Sequence, residues 1–188
     1  MISDTIKKNR SYRRFFADRA VDTDTLVGIV DEARLCPSGA NMQRLRVALV
    51  NDEAGKNAIF STLKFAGYLK DWAGPADSER PAAYIVLCSE AELGTLLAID
   101  LGIFAQTMLL AATERGLGGC MFRSFDAARV AEVVGTEGMI PHLVIALGTP
   151  SERVEITSVK DGDIKYYRDE NGNHIVPKYS AEELIIKR

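Results

Sequence analysis

The sequence predicts a single domain in which helices and strands alternate, and three observations carry that expectation. The chain has 188 residues, of which 47% are apolar, enough for one domain with a full core. "AAYIVLCS", residues 82–89, is a short β-rich run directly after Pro81, the pattern of a strand buried on both faces. Leu93 to about Arg115 is helical in pattern and apolar nearly all round, with Leu96, Leu97, Leu101, Phe104, Met108 and Ala111, as in a central buried helix.

The other elements follow in order. Residues 3–9 predict a short helix. "VDTDTLVGIVDEARL" predicts a second, capped by Asp22, with Leu26, Ile29, Val30 and Ala33 at helical spacing. "CPSGANMQ", residues 36–43, breaks that helix and leads as a loop into the strand "RVALV". Gly116 is placed to end the long helix, and Gly118-Gly119 to turn the chain sharply before a strand "CMFRS". Asp126 caps "AARVAEVVG", which ends at Gly135, and "HLVIALG" is the last core strand. In the tail, "IKYYRDENGNHIVPK" predicts a hairpin turning at Asn171-Gly172, and Ser180 opens a capping box.

Composition restricts function. A net charge of -3 with interspersed acids and bases disfavours nucleic acid as partner, although the arginines near the N-terminus leave a basic-arm binder as a rival to be tested by salt dependence. The N-terminus lacks an apolar export region, and Asp100, Gln106 and Glu114 interrupt the apolar stretches, so no membrane span and a cytoplasmic location are expected. Cys36, Cys88 and Cys120 are widely separated, which matches neither zinc ligation nor a disulfide framework.

The sharpest local feature is "NRSYRRF", residues 9–15. A helical turn there would bring Arg10 and Arg13 together near Ser11, a set suited to phosphate because guanidinium forks match its oxygens; a solvated charged face is the plainer alternative. The loop "PSGANMQ", residues 37–43, offers a hydroxyl at Ser38 and two amides, Asn41 and Gln43, suited to a polar ring edge, or is a simple connector. "GLGG" lacks the third glycine of a dinucleotide fingerprint and follows a helix rather than opening one. His142 and His174 have no carboxylate or cysteine at ligand spacing, so packing roles are expected of both. No nucleophile and base pair up in the sequence, which suits a protein whose cofactor does the chemistry.

Taken together, "RSYRRF", "EARLCPSGANMQ", "DLGIFAQTMLLAATERGLGG" and "LVIALGTP" resemble the nitroreductase family of FMN-dependent oxidoreductases, and the C-terminal piece is similar to a short-chain branch of it. The resemblance implies an α+β fold, one domain over residues 1–188 with a hairpin extension over 151–188, and a central mainly antiparallel sheet flanked by helices in an intertwined homodimer. It implies FMN as cofactor, with Arg10, Ser11 and Arg13 at its phosphate and ribityl end from one subunit. Pro37, Ser38 and Asn41 would approach the flavin from the other; Phe122, Arg123 and Ser124 would pass beside the ring, and Lys178 would lie near the phosphate. The implied activity is ping-pong hydride transfer from NADH or NADPH to a nitroaromatic, quinone or similar small acceptor. A flavin-binding protein with little turnover, or a dehalogenase or flavin-modifying enzyme on the same fold, remains the alternative. Two positions depart from the family pattern: Arg44-Leu45 stands where Pro-Trp is common, and Tyr179 where an arginine is typical.

Overall fold

A computed structural model describes residues 1–135 and 138–187. Four strands form the main sheet: β1 (Arg46–Val50), β2 (Ala83–Ser89), β3 (Gly118–Phe122) and β4 (Ile140–Gly148), in the order β1-β2-β4-β3 and antiparallel throughout. Side chains alternate across such strands, and this sheet buries both sides. On one face Ile85, Leu87, Ile145 and Leu147 meet α2 (Thr23–Ala33) and α4 (Thr95–Glu114). On the other, Tyr84, Val86, Val144 and Ala146 meet α3 (Glu53–Thr62) and α5 (Ala127–Val134). That double cover explains why every residue of β2 is buried.

Side-chain caps set the helix starts, as expected of Asp22, which accepts from the Thr25 N–H at 2.6 Å, and of Asp126, which accepts from the Arg129 N–H at 3.1 Å. Asp52 does the same for α3, accepting from the Gly55 N–H at 2.8 Å; this helix lies in a stretch for which no element is predicted. Gly135 ends α5 in the left-handed conformation, φ 62°.

A second, three-stranded sheet is built after Pro150, in the order β5-β7-β6: β5 (Val154–Ser158) runs parallel to β7 (His174–Lys178), and β6 (Tyr167–Arg168) pairs antiparallel with β7 through the expected turn at Asn171-Gly172. The chain closes with α6 (Ala181–Leu184), whose Ser180 and Glu183 form the expected reciprocal cap.

Two local expectations are corrected. The short helix is α1 (Ile2–Lys8), and the arginine segment after it is extended, not helical. Asn9 leaves the helix at ψ 107°, the Tyr12 N–H donates to the Gly119 carbonyl at 3.0 Å, and Ser11 bridges Gly119 in parallel. The strand at the glycines begins two residues earlier than "CMFRS", because Gly118 and Gly119 are ladder residues paired with Gly148 and Leu147; the turn is made at Gly116, φ 75°. By length and composition alone α4 is long and apolar enough to cross a membrane, and 44% of that window is buried. Its buried face is core and its Asp100 carboxylate holds a loop, accepting from the Gly39 N–H at 2.8 Å.

Candidate functional site

The extended segment 9–15 lies between β3 and the small sheet, so residues distant in sequence face a common cleft of about 480 Å³. Arg10, Ser11 and Arg13 line it from the N-terminal segment, Gln106 from α4, Cys120 from β3, Tyr166 from just before β6, and His174 and Lys178 from β7. The segment is held at both ends. Asn9 Nδ2 donates to the Leu109 carbonyl and to Thr113 Oγ1 on α4, each at 3.1 Å, while its Oδ1 accepts from Gln106 at 3.0 Å. At the other end Phe15 is fully buried, and its N–H donates to the Glu79 carbonyl at 3.0 Å.

Glu152 is the hinge of the electrostatics. Its side chain is 2% exposed and accepts from Arg168 Nη2 at 2.8 Å. The same carboxylate accepts from the backbone N–H groups of Arg13 and Arg14. A buried carboxylate needs such compensation, and here it ties the arginine segment to the C-terminal sheet. Its neighbour Trp72, the single tryptophan, lies between two guanidiniums, with Arg168 Cζ 5.0 Å and Arg14 Cζ 5.6 Å from its rings.

The cleft is cationic. Ion pairs among the described residues engage Arg14 and Arg168 with Glu79 and Glu152 but leave out Arg10, Arg13 and Lys178. Arg10 donates to the carbonyls of Ile6 and Asn9. Arg13 stacks over the Tyr166 ring at 5.0 Å, and its Nη1 lies 3.2 Å from His174 Nε2. Since a guanidinium has no lone pair to offer, Arg13 donates and the His174 proton sits on Nδ1. Burial, followed by the charge of Arg13, drives the His174 pKa down to about 4, so the imidazole is neutral at pH 7. Burial also raises the Cys120 thiol, against the pull of Arg13.

The remaining nominated residues lie elsewhere in the chain. Pro37 and Ser38 line a separate hollow of about 160 Å³ with Cys36, Arg44 and Asp100. Ser38 Oγ is engaged within its own loop, accepting from the Gln43 N–H at 3.3 Å. Ala40, Asn41 and Gln43 all adopt positive φ, 49°, 53° and 46°, a cost that non-glycine residues bear chiefly where function requires a fixed loop shape. Phe122 is buried in the second core, edge-on to Phe65 at 4.9 Å. Arg123 donates to the His142 carbonyl, and the Ser124 carbonyl accepts from the Lys64 N–H. None of these six lines the cleft in the single chain.

One pairing that the sequence did not suggest is Ser89 with His142 Nε2, at 2.8 Å. Ser89 Oγ donates to the Ala91 carbonyl at 2.7 Å, and the same imidazole nitrogen lies 3.2 Å from that carbonyl. A hydroxyl and a ring N–H converging on one carbonyl make a structural clasp, not an activated nucleophile. Among the described residues no cluster of His, Cys, Asp or Glu suits a metal ion.

An antiparallel sheet between two helix pairs, with a cationic cleft along its β3 edge, defines an α+β protein shaped for a small anionic ligand. The comparisons with known proteins make this specific: residues 6–149 match the nitroreductase family, and the chain belongs to it. It is 28% identical over 171 residues to the NADPH-flavin oxidoreductase of Vibrio harveyi, covering 81% of this chain and 67% of that protein. Among solved structures, the fold is similar to a nitroreductase family protein from Streptococcus pneumoniae TIGR4 (TM-score 0.72, 18% identity, all of both chains). It is also similar to NfnB, an FMN- and NADPH-dependent nitroreductase from sphigopyxis sp. strain HMH (TM-score 0.70, 19% identity, 100% of this chain and 99% of that one). The family match ends at Thr149, before β5 and the C-terminal side of the cleft.

Proposed function

We propose that this chain is an FMN-dependent NAD(P)H oxidoreductase that reduces a small acceptor of the nitroaromatic or quinone class, acting as a homodimer. The observation that carries the reading is the cleft, where Arg10, Arg13 and Lys178 converge without carboxylate partners beside Ser11. Its volume falls within the roughly 300–1,000 Å³ of small-ligand sites, and its charge suits a phosphate monoester. The residues present therefore fit FMN. The Vibrio harveyi relative and the NfnB structure, whose names include flavin, FMN and NADPH, support the same cofactor and donor.

When bound, FMN supplies hydride exchange, accepting from the nicotinamide and delivering to the acceptor in a ping-pong cycle. The chain's own residues bind and orient. Arg10, Arg13 and Lys178 hold the phosphate by charge-assisted bonds, with Ser11 adding a hydroxyl. Pro37, Ser38 and Asn41 belong to a loop whose backbone is already set by Asp100 and by three left-handed residues, a preorganised edge for the ring of the neighbouring subunit's flavin. Phe122 ends β3, the strand that carries Cys120 and Met121 at the cleft wall, and with Arg123 and Ser124 after it would pass beside the flavin ring. The dimer is supported by α4, where Leu96 is 53% and Ile99 54% exposed, an apolar face that a second subunit would cover.

The test is the visible spectrum of the purified protein, with release and identification of any chromophore. Released FMN, its loss in the Arg10→Ala/Arg13→Ala variant, and steady-state oxidation of NADH or NADPH with a quinone are the expected results. A colourless protein that takes up no added FMN would refute the proposal.

A further inference from the structure

We infer that His174, with Tyr166 beside it, is the positioning residue that aims Arg13 into the cleft, so that the C-terminal sheet sets the chain's selectivity for a phosphate-bearing flavin over an uncharged one. The inference rests on the reading of the cleft as the phosphate end of a flavin site. It concerns residues that lie beyond the stretch matching the family.

A free arginine side chain has many rotamers, and aiming one at a ligand carries an entropic cost unless the fold holds it beforehand. Among the described residues no carboxylate holds the Arg13 guanidinium. Three contacts fix it instead: Nη1 donates to the Ser11 carbonyl at 3.3 Å, Nη1 faces His174 Nε2 at 3.2 Å, and its plane stacks on Tyr166 at 5.0 Å. Tyr166 and His174 brace each other, with ring centroids 5.1 Å apart.

The chemistry of the acceptor matters. A carboxylate at position 174 would orient Arg13 equally well but would cancel the charge needed for an anion. A neutral imidazole accepts the hydrogen bond and leaves the full positive charge available. Among the described residues the buried carboxylate nearby, that of Glu152, is engaged by Arg168 and by two backbone N–H groups, which keeps it from the Arg13 guanidinium.

The histidine is also a poor choice on packing grounds alone. It is 1% exposed, and its Nδ1 is buried without a hydrogen-bond partner among the described residues. A buried N–H left unpaired lowers stability, whereas an apolar side chain of similar size would not incur that loss. What the imidazole offers in return is the bond at Nε2.

The test uses the full-length protein and two flavins, FMN and riboflavin, which differ by the phosphate. Dissociation constants are measured by flavin fluorescence for wild type, His174→Leu, His174→Gln, Tyr166→Leu, Arg13→Ala and Arg13→Ala/His174→Leu, with thermal melting in parallel. His174→Leu is expected to weaken FMN about tenfold, the scale of one charge-assisted bond, and to leave riboflavin within about twofold. His174→Gln, whose amide oxygen accepts, restores most of the loss, and Tyr166→Leu shows the same selective defect with a smaller amplitude. Because His174 acts through Arg13, the double variant binds FMN no more weakly than Arg13→Ala. Equal loss of both flavins in His174→Leu and in Tyr166→Leu would assign the pair a merely structural role and overturn the inference. A His174→Leu effect undiminished in the Arg13→Ala background would overturn it as well. If wild type binds FMN and His174→Leu matches it, only this inference fails; if wild type binds neither flavin, the functional reading fails and takes the inference with it.

Discussion

Gly119 couples the fold to the candidate site, and replacing it with alanine should damage both. A Cβ built there would lie 2.6 Å from the Ala146 carbonyl oxygen, 2.6 Å from Leu109 Cδ2 and 2.8 Å from Leu147 Cδ2. All three are closer than carbon contacts tolerate, and the two leucine ends can shift only within a packed core. The carbonyl cannot shift at all without parting β3 from β4, since Ala146 is paired with both β3 and β2. Overpacking of this kind typically costs 1–3 kcal/mol, and the backbone clash places Gly119→Ala at about 3 kcal/mol. For a chain of this size that corresponds to a fall in Tm of about 6–12 °C. The Gly119 carbonyl also receives the Tyr12 N–H, so displacement of β3 would carry Arg10 and Arg13 with it and weaken FMN binding. Differential scanning calorimetry and a flavin titration check the two parts. A variant within about 1 kcal/mol of wild type, with unchanged flavin affinity, would refute the argument that β3 is locked between Leu109 and β4.

Three further outcomes are expected. His174, faced by Arg13, Arg168 and Glu152, has a folded pKa of about 4 against an ordinary 6.5, so the unfolded chain binds a proton there that the folded chain does not. Stability therefore falls as pH drops from 6.5 towards 4, by about 1–2 kcal/mol between pH 7 and pH 5; urea unfolding at both values should show that loss in wild type and less of it in His174→Leu. Ile99→Glu places a charge on the exposed apolar face of α4 at little cost to the single chain, and should yield a monomer by analytical ultracentrifugation that retains its fold but has lost flavin. Persistence of the dimer would locate the interface elsewhere. Trp72→Ala removes the half-buried ring shared by Arg14 and Arg168 and should destabilise the protein by about 1–3 kcal/mol in chemical denaturation, from the partial loss of buried surface and two cation–π contacts.

Where the chain folds by local rules, it is legible. Asp22 and Asp126 announce helix starts because an N-cap acts within three residues. The continuous apolar run of β2 and the turn at Asn171-Gly172 are likewise short-range patterns. The glycines at 118 and 119 misled for a physical reason. Glycine serves both sharp turns and close approach, and only the positions of Tyr12, Leu109 and Ala146 show that close approach is its use there. The extended path of residues 9–15 was hidden in the same way, since its backbone partners are Gly119, Glu79 and Ser151, far outside any local window.

The candidate site divides along this line. The sequence alone determined that Arg10, Ser11 and Arg13 are residue types suited to phosphate, that the chain resembles the nitroreductase family, and that helices and strands alternate around an apolar core, because residue type, spacing and hydrophobic period are properties of short segments. Only the tertiary structure decided that Tyr166 and His174 join that group beside Lys178, that Glu152 is occupied elsewhere, and that the loop at Ser38 opens on a different hollow. These are pairings across more than a hundred residues, or between a side chain and the charge of a distant neighbour. Such pairings arise when the sheet closes and water is excluded, and no local pattern encodes them.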